Sequence, residues 1–463
     1  MQRIRISQIQ PGQTFEQSLY LSSGQKLLGP GVPLTARHIQ AMQRSGEVEV
    51  LAADSLHELE ESGLVRRLEK KRLAVGQTLQ EGLMTRTGSV LLEPGQSIEQ
   101  HHLDALAISG EAYQATQPSS GHDRRDRILM ADVLVEELEQ QLPAIPMRVT
   151  AHEQADWIQP ARGAAWPGPE ELSQRRNAAV ERLRVLLAQI EAGIATPLRA
   201  FESLVDELMA DLSRHPSRFT QLALLCPRRR DYLPDHAYTV SVLAMAVAAT
   251  LRWPRQDVRQ MGLAGLLFDL GMLLVPERIR VGSSQLSDID RSRVQRHPIY
   301  TLSMMQSIDD VPLIVQLAAL QHHERENGSG YPQGKRKNAI CDYARVLAVA
   351  DTFAAGTAPR HYRRQKLPYL VMEETLRSAA AITLWAPAVR GLVQVAGLFP
   401  VGSYVKLSNG VNAHVIASNE KEVDRPVVQP LDREGQPSGQ PIDLSTLSKQ
   451  ALAVIRAIPT ATA

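Results

Sequence analysis

His322 and His323 stand side by side directly before Glu324-Arg325-Glu326-Asn327-Gly328-Ser329-Gly330-Tyr331-Pro332-Gln333-Gly334. Adjacent imidazoles suit metal or phosphate chemistry, because each offers a nitrogen lone pair or a proton near neutral pH. Three glycines and a proline between Gly328 and Gly334 rule out a helix there. They suit a rigid loop whose backbone approaches a ligand closely. A surface helix end would carry two histidines equally well, so the pair alone decides nothing. The run Ala344-Arg345-Val346-Leu347-Ala348-Val349-Ala350-Asp351 adds an apolar stretch ending in a carboxylate. Pair, loop and carboxylate together are far more specific than any one of them.

That combination resembles the HD-GYP family of cyclic di-GMP phosphodiesterases, a branch of the HD metallohydrolases. The resemblance covers roughly Asp231 to Pro400. It implies an all-helical domain with a two- or three-metal centre, often iron or manganese, that hydrolyses cyclic di-GMP. It also implies the metal ligands, in chain order. His236, in Asp231-Tyr232-Leu233-Pro234-Asp235-His236, takes the place of the first ligand at the start of the helix Ala237 to Leu251. His297 takes the next histidine position, His322 and His323 the paired one, and Asp351 the last carboxylate. Asp269 is placed as the carboxylate that bridges two ions.

The same comparison exposes departures. In Ala264-Gly265-Leu266-Leu267-Phe268-Asp269-Leu270-Gly271-Met272 the frame is intact, yet Phe268 stands where the family has a ligand histidine and Met272 where it has a catalytic lysine. Phenylalanine has no lone pair for a metal. Methionine has no charge to stabilise a phosphate in the transition state. Tyr232 replaces the glutamate of a third metal, Asn327 an aspartate, and Ala354 an acidic residue. Two ions about 4 Å apart share a water and hold the phosphate it attacks. By analogy, one ion would use His236, the missing histidine, Asp269 and Asp351; the other would use Asp269, His297, His322 and His323. The expectation is one divalent ion rather than two, bound at the second position.

Phosphate recognition falls to the loop residues Gly330, Tyr331 and Pro332 and to the cations Lys335, Arg345 and Arg360. Arginine forks suit bridging phosphates, although a solvated surface cation is the ordinary state of each. Three readings follow. The first is a degenerate HD-GYP protein of cyclic di-GMP signalling that binds metal, nucleotide or a partner, such as a GGDEF-type diguanylate cyclase, with little or no turnover. The second is an active phosphodiesterase that yields pGpG or GMP. The third is a structural adaptor that binds neither metal nor nucleotide. A homodimer is compatible with all three.

The rest of the chain must position these residues. It has 463 residues, 43% apolar and 22% charged, with a net charge of +1, which argues against DNA as a partner. Only Cys226 and Cys341 are present, in no metal-like spacing, which fits a reducing compartment. Met1 to Gly12 has no signal-peptide core, and the longest apolar run, Val240 to Leu251, is too short for a membrane span. A cytoplasmic protein is the expectation.

Residues 1–116 contain a repeat with a constant offset (76−12 = 88−24 = 110−46 = 64). Gly12-Gln13-Thr14 recurs as Gly76-Gln77-Thr78, and Leu27-Leu28 as Leu91-Leu92. Each copy, about 1–51 and 65–116, reads as two short strands around a Gly turn and then a helix, the first capped by Thr35 and stopped by Gly46. Neither copy is large enough to bury a core alone, so the two are expected to pack together. Residues 117–169 read as a linker with one helix, Leu129 to Leu142, and an irregular Pro143 to Pro169. An all-helical HD-type bundle follows over 170–397. After Phe399 a small β appendage over 398–463 has Asn409-Gly410 as a hairpin turn. The fold class is therefore mainly α, with a small N-terminal α+β module and a C-terminal β appendage.

Overall fold

The computed structural model describes residues 123–463 except 152–156, 159–167, 193, 225–231, 281–286, 359–365, 420, 449 and 462–463. Before residue 123 it describes 2–10, 12–20, 26–30, 34, 39, 49–53, 59–60, 65–68, 73–77, 79, 83–85, 90–92, 97–98, 100, 102–103 and 112–115. The chain divides into two compact units: Met1–Leu142, Arg184–Ala200 and Ile299–Val311 in the first, and Pro143–Leu183, Phe201–Pro298 and Pro312–Ala463 in the second.

The first unit contains the repeat. Strands β1 (Gln2–Arg5), β2 (Ser18–Tyr20), β3 (Lys26–Leu28) and β4 (Glu49–Ala53) form one sheet in the order β1-β4-β2-β3. Strands β5 (Val65–Leu68), β6 (Leu83–Thr85), β7 (Val90–Leu92) and β8 (Ala112–Ala115) repeat that order as β5-β8-β6-β7. Each copy thus has four strands where two were expected. The extra pair, β1 with β4 and β5 with β8, is made of short stretches whose partner lies far along the chain, a pairing that periodicity does not report. Gly12 and Gly76 both adopt positive φ, +89° and +85°. Each turn is closed identically, Gly12 N to Leu34 O at 2.6 Å and Gly76 N to Ile98 O at 2.7 Å. Tyr20, Leu51, Ala53, Leu59, Val65 and Tyr113 form one buried cluster drawn from both copies. The expected caps Thr35 and Gly46, and the other repeated glycines Gly24, Gly31, Gly88, Gly95 and Gly110, lie outside the described residues. Helix α1 (Asp123–Gln140) ends this part of the chain.

Helices α2 (Pro169–Glu191), α3 (Leu198–Arg214), α4 (Tyr232–Thr250), α5 (Arg255–Leu267), α6 (Asp288–Gln295), α7 (His297–Met305), α8 (Leu313–Gln321), α9 (Asp342–Thr357), α10 (Pro368–Ala380) and α11 (Ala386–Ala396) make up the helical body. Apolar residues at helical spacing predict one stripe of Val180, Leu183, Leu186, Leu187 and Ile190 and another of Leu204, Leu208 and Leu212; all are buried except Leu186, which is half-buried. Helix α4 is apolar all round and buried along nearly its whole length, so it is the central helix of the second unit. A β-carbon on Gly265 would lie 2.4 Å from the Cα of Ser241, so this glycine lets α5 lie directly on α4. Ser241 Oγ donates to Gly262 O at 2.9 Å across the same contact.

Helix α4 begins at Tyr232 rather than Ala237, with Pro234 tolerated in its first turn, so His236 sits one turn inside the helix. Its start is fixed by a buried ion pair. Arg176 of α2 donates to Asp235 at 2.8 Å and to Thr239 Oγ1 at 3.1 Å. Strands β9 (Tyr404–Leu407), β10 (Asn412–Ala417), β11 (Val427–Pro430), β12 (Ile442–Asp443) and β13 (Val454–Ile458) form the C-terminal sheet, in the order β12-β11-β10-β9-β13. The β9–β10 turn has Gly410 at φ +85° and Val411 N bonded to Asn409 Oδ1 at 3.1 Å, as the Asn-Gly pair predicted. Among the described residues, no helix is long and apolar enough to cross a membrane.

Arg176 is fully buried, so its loss strands the Asp235 carboxylate in a low dielectric. Arg176→Met is expected to cost about 3–5 kcal/mol. Urea titration would show this as a lower midpoint, and Arg176→Met with Asp235→Leu should regain most of the loss.

Candidate metal centre

Most of the candidate residues lie at or near helix ends. His297 opens α7, His322 caps the C-terminus of α8, and Phe268 caps that of α5, with Asp269 next to it. His236 comes from the second turn of α4 and Asp351 from within α9.

The tautomers follow from the backbone. His297 Nδ1 lies 2.7 Å from Val294 O, and His322 Nδ1 lies 2.7 Å from Ala319 O. A carbonyl oxygen only accepts, so each Nδ1 carries the proton and each Nε2 presents its lone pair. Those two Nε2 atoms face one another at 3.2 Å. Asp269 Oδ1 lies 3.3 Å from His297 Nε2. His297, His322 and His323 each offer a ligand atom, and the three atoms lie within 4.8 Å of one another. Burial pushes His297 down to about 4. It pushes His322 down to about 3, with the neighbouring His297 adding to the effect, and His323 well below the ordinary histidine range. At neutral pH these rings are uncharged and their lone pairs are available. Several acceptors aimed at one small volume need a cation between them, so the donor set fits a divalent metal.

The other expected ion position looks different. His236 Nε2 is 2.8 Å from Asp351 Oδ1, a buried contact between two residues expected to face an ion. Burial alone would raise the Asp351 carboxyl, but the hydrogen bond and charge of His236, with His322 and Arg325, outweigh it and hold it down to about 2. Phe268 stands between the two groups. Its ring meets His322 edge-on at 4.9 Å and lies 5.9 Å from His236. Tyr232 stacks on the other ring of this pair, 4.7 Å from His236. Met272 is half-buried in the 3-10 turn Leu270–Leu274, with its N–H on Asp269 O at 2.9 Å.

The loop does something other than the sequence implied. Gly330 presses onto the histidine segment itself, where a β-carbon would meet His323 O at 2.3 Å, Arg325 N at 2.5 Å and Glu324 Cα at 2.6 Å. Tyr331 N then donates to His323 O at 3.1 Å, and the Tyr331 ring stacks on the His323 ring at 4.5 Å. The Tyr331–Pro332 peptide is cis. Glu324 accepts from Gln333 N at 2.7 Å, and the backbone amides of Lys335 and Gly334 also bear on its carboxylate. Gly330, Tyr331 and Pro332 therefore build the wall beside His323.

Arg345 is engaged by other side chains. It is buried, with Nε 2.9 Å from Glu326, Nη1 3.3 Å from Asp342, and its guanidinium over the Trp385 ring at 5.3 Å. Arg345 therefore meets two carboxylates and an aromatic face within the protein. Arg360 lies outside the described residues. Two contributors escaped the sequence reading. Arg325 donates to the carbonyls of His322 and Glu324, at 3.1 and 3.0 Å. Gln321 is fully buried, next to the pair. The only advance signal for Gln321 was an amide at the end of an otherwise apolar helix.

With this geometry in view, the similarities are informative. Residues 204–377 match the HD domain model. Over this stretch the chain is similar to HD domains. A cyclic di-GMP phosphodiesterase of Pseudomonas aeruginosa is 34% identical over 227 residues, 49% of this chain and 54% of that protein. A cyclic di-GMP phosphodiesterase response regulator of Xanthomonas campestris is 34% identical over 125 residues, 27% of this chain and 33% of that one. A 3'3'-cGAMP-specific phosphodiesterase of Vibrio cholerae is 33% identical over 129 residues, 28% and 30% of the two chains. The chain thus spans about half the length of the first of these curated relatives and about a third of the others.

Gly330 leaves no room for a methyl group, because its neighbours are backbone atoms. Gly330→Ala is expected to destabilise the second unit by about 1–3 kcal/mol and to weaken metal binding by moving His323. Thermal unfolding and metal titration of the same sample would check both.

Proposed function

We propose that this chain is an HD-GYP protein that acts in cyclic dinucleotide signalling as a one-metal, low-turnover form of the phosphodiesterase scaffold. In this reading Asp269, His297, His322 and His323 hold one divalent ion, iron or manganese. When bound, that ion would polarise a phosphate oxygen and lower the pKa of a water. The chain's own residues do the rest. The backbone carbonyls of Val294 and Ala319 hold the ring protons away from the ion site. Tyr331 covers one face of His323.

The observation that carries the reading is the buried phenyl ring of Phe268, edge-on to His322 where the family places a ligand imidazole. The His236–Asp351 contact supports it, since the two remaining residues of that ion position satisfy each other. Met272 removes the cation that would have met the phosphate. Cyclic di-GMP is the ligand of choice because the relatives of known name act on cyclic di-GMP or on the related 3'3'-cGAMP. A nucleotide-bound form would then be read by a partner, with a diguanylate cyclase the first to test.

Metal analysis of the purified full chain should give one tightly held ion, and Phe268→His should raise the count towards two. Calorimetry should show cyclic di-GMP binding that weakens on chelation. Turnover with manganese or ferrous iron should be slow, and Phe268→His with Met272→Lys should raise it by at least ten-fold. Two tight ions in the wild type, with rapid hydrolysis abolished by His322→Ala, would overturn the reading in favour of an active enzyme.

A further inference from the structure

Met147–Val149 belongs to the stretch between α1 and α2 that composition marks as irregular, and it lies well before the HD match begins at residue 204. The structure fastens it to the second unit. Arg148 Nη1 donates to Ile340 O at 2.9 Å and to Asp342 Oδ1 at 2.5 Å, and Nη2 donates to Asn338 Oδ1 at 3.3 Å. Val149 N donates to Asp342 Oδ2 at 3.1 Å, and Asp342 N donates back to Met147 O at 3.0 Å. A second fastening follows at Trp157, whose Nε1 donates to Trp253 O at 3.3 Å and whose carbonyl accepts from Ser213 Oγ at 2.8 Å.

The segment gripped by Arg148, Asn338–Asp342, is the one that holds the histidine pair from behind. Gln321, the residue before His322, donates to Ala339 O at 3.2 Å and accepts from Cys341 N at 2.8 Å. Arg148 thus binds residues 338, 340 and 342 on one side while Gln321 binds 339 and 341 on the other. A second route reaches the far side of the pair. Asp342 also receives Arg345, and Arg345 holds Glu326, three residues after His323. One guanidinium therefore braces both flanks of His322-His323 through two short chains of hydrogen bonds.

We infer that Arg148 is a positioning residue for the His322-His323 metal ligands, acting through Asn338–Asp342 and Gln321. The linker segment that carries it is then a working part of the metal-binding unit. The inference rests on the reading that these histidines hold an ion.

The test uses the full chain, stripped of metal and titrated with Mn2+. Arg148→Ala should weaken Mn2+ binding roughly ten-fold, the scale of losing an outer partner of a metal ligand. It should also shift the visible absorption of the Co2+ form and speed amide exchange at Ala339, Ile340 and Cys341. Arg148→Lys keeps the charge but loses the fork, and should show the same changes in smaller measure, which covers the case that Arg148→Ala does not fold. Unchanged Mn2+ affinity and Co2+ spectrum in both variants would overturn the inference. So would an affinity loss that merely tracks a lower unfolding midpoint, because that is what a structural role alone predicts. A wild type that takes up no Mn2+ would overturn the metal reading and this inference with it; exchange at 339–341 would still report separately whether Arg148 grips the segment.

Discussion

Lone pairs buried face to face are unfavourable without a positive charge between them. His297 and His322 meet in that way because each has given its Nδ1 proton to the carbonyl three residues earlier. Both carbonyls lie in the last turn of a helix, Val294 in α6 and Ala319 in α8, where carbonyls lack a partner within the helix. The same local device is used twice. It fixes a tautomer and turns Nε2 inward. The helical body brings the two helix ends together, and the contact of α4 with α5 through Gly265 brings Asp269 to them. Packing that elsewhere would serve only stability here sets the spacing of a ligand set.

That dependence explains the loop. Glycine before Tyr-Pro invites the reading that a phosphate approaches the backbone. In this chain the approaching group is the protein's own histidine segment, since a β-carbon at residue 330 would fall on the backbone of residues 323–325. The tyrosine then lies flat on His323, and the loop becomes the outer wall of the ligand set. Sequence patterning registers that close approach is needed at a glycine, but not what approaches.

Much of the architecture could be read in advance, for identifiable reasons. Helical periodicity exposed α2 and α3, and the Asn409-Gly410 turn exposed the C-terminal hairpin. A constant offset exposed the duplicated module, although two strands of each copy depend on distant pairing and were not visible. The histidines and carboxylates were singled out through the family resemblance, and of them the structure brings His297, His322 and His323 within reach of one another. The carboxylate partners of Arg345 were not visible, because a cation near a loop looks the same in sequence whether it faces solvent or two carboxylates. Gln321 and Arg148 were missed for a related reason. Each acts on backbone atoms, and backbone atoms leave no signature at the partner's position.

The change at residue 268 is best understood through what remains around it. Replacing an imidazole by a small residue would leave a void beside His322 and an acidic Asp351 facing it. The phenyl ring is instead buried there. The carboxylate is met by His236 at 2.8 Å and so does not stand as an isolated buried charge. The surroundings of Phe268 are thus apolar on one side and internally paired on the other. The imidazoles of His297, His322 and His323 are held by the carbonyls of Val294 and Ala319 and by the Tyr331 ring. Under the proposed one-metal reading, the position beside Phe268 would be given up without moving these three rings.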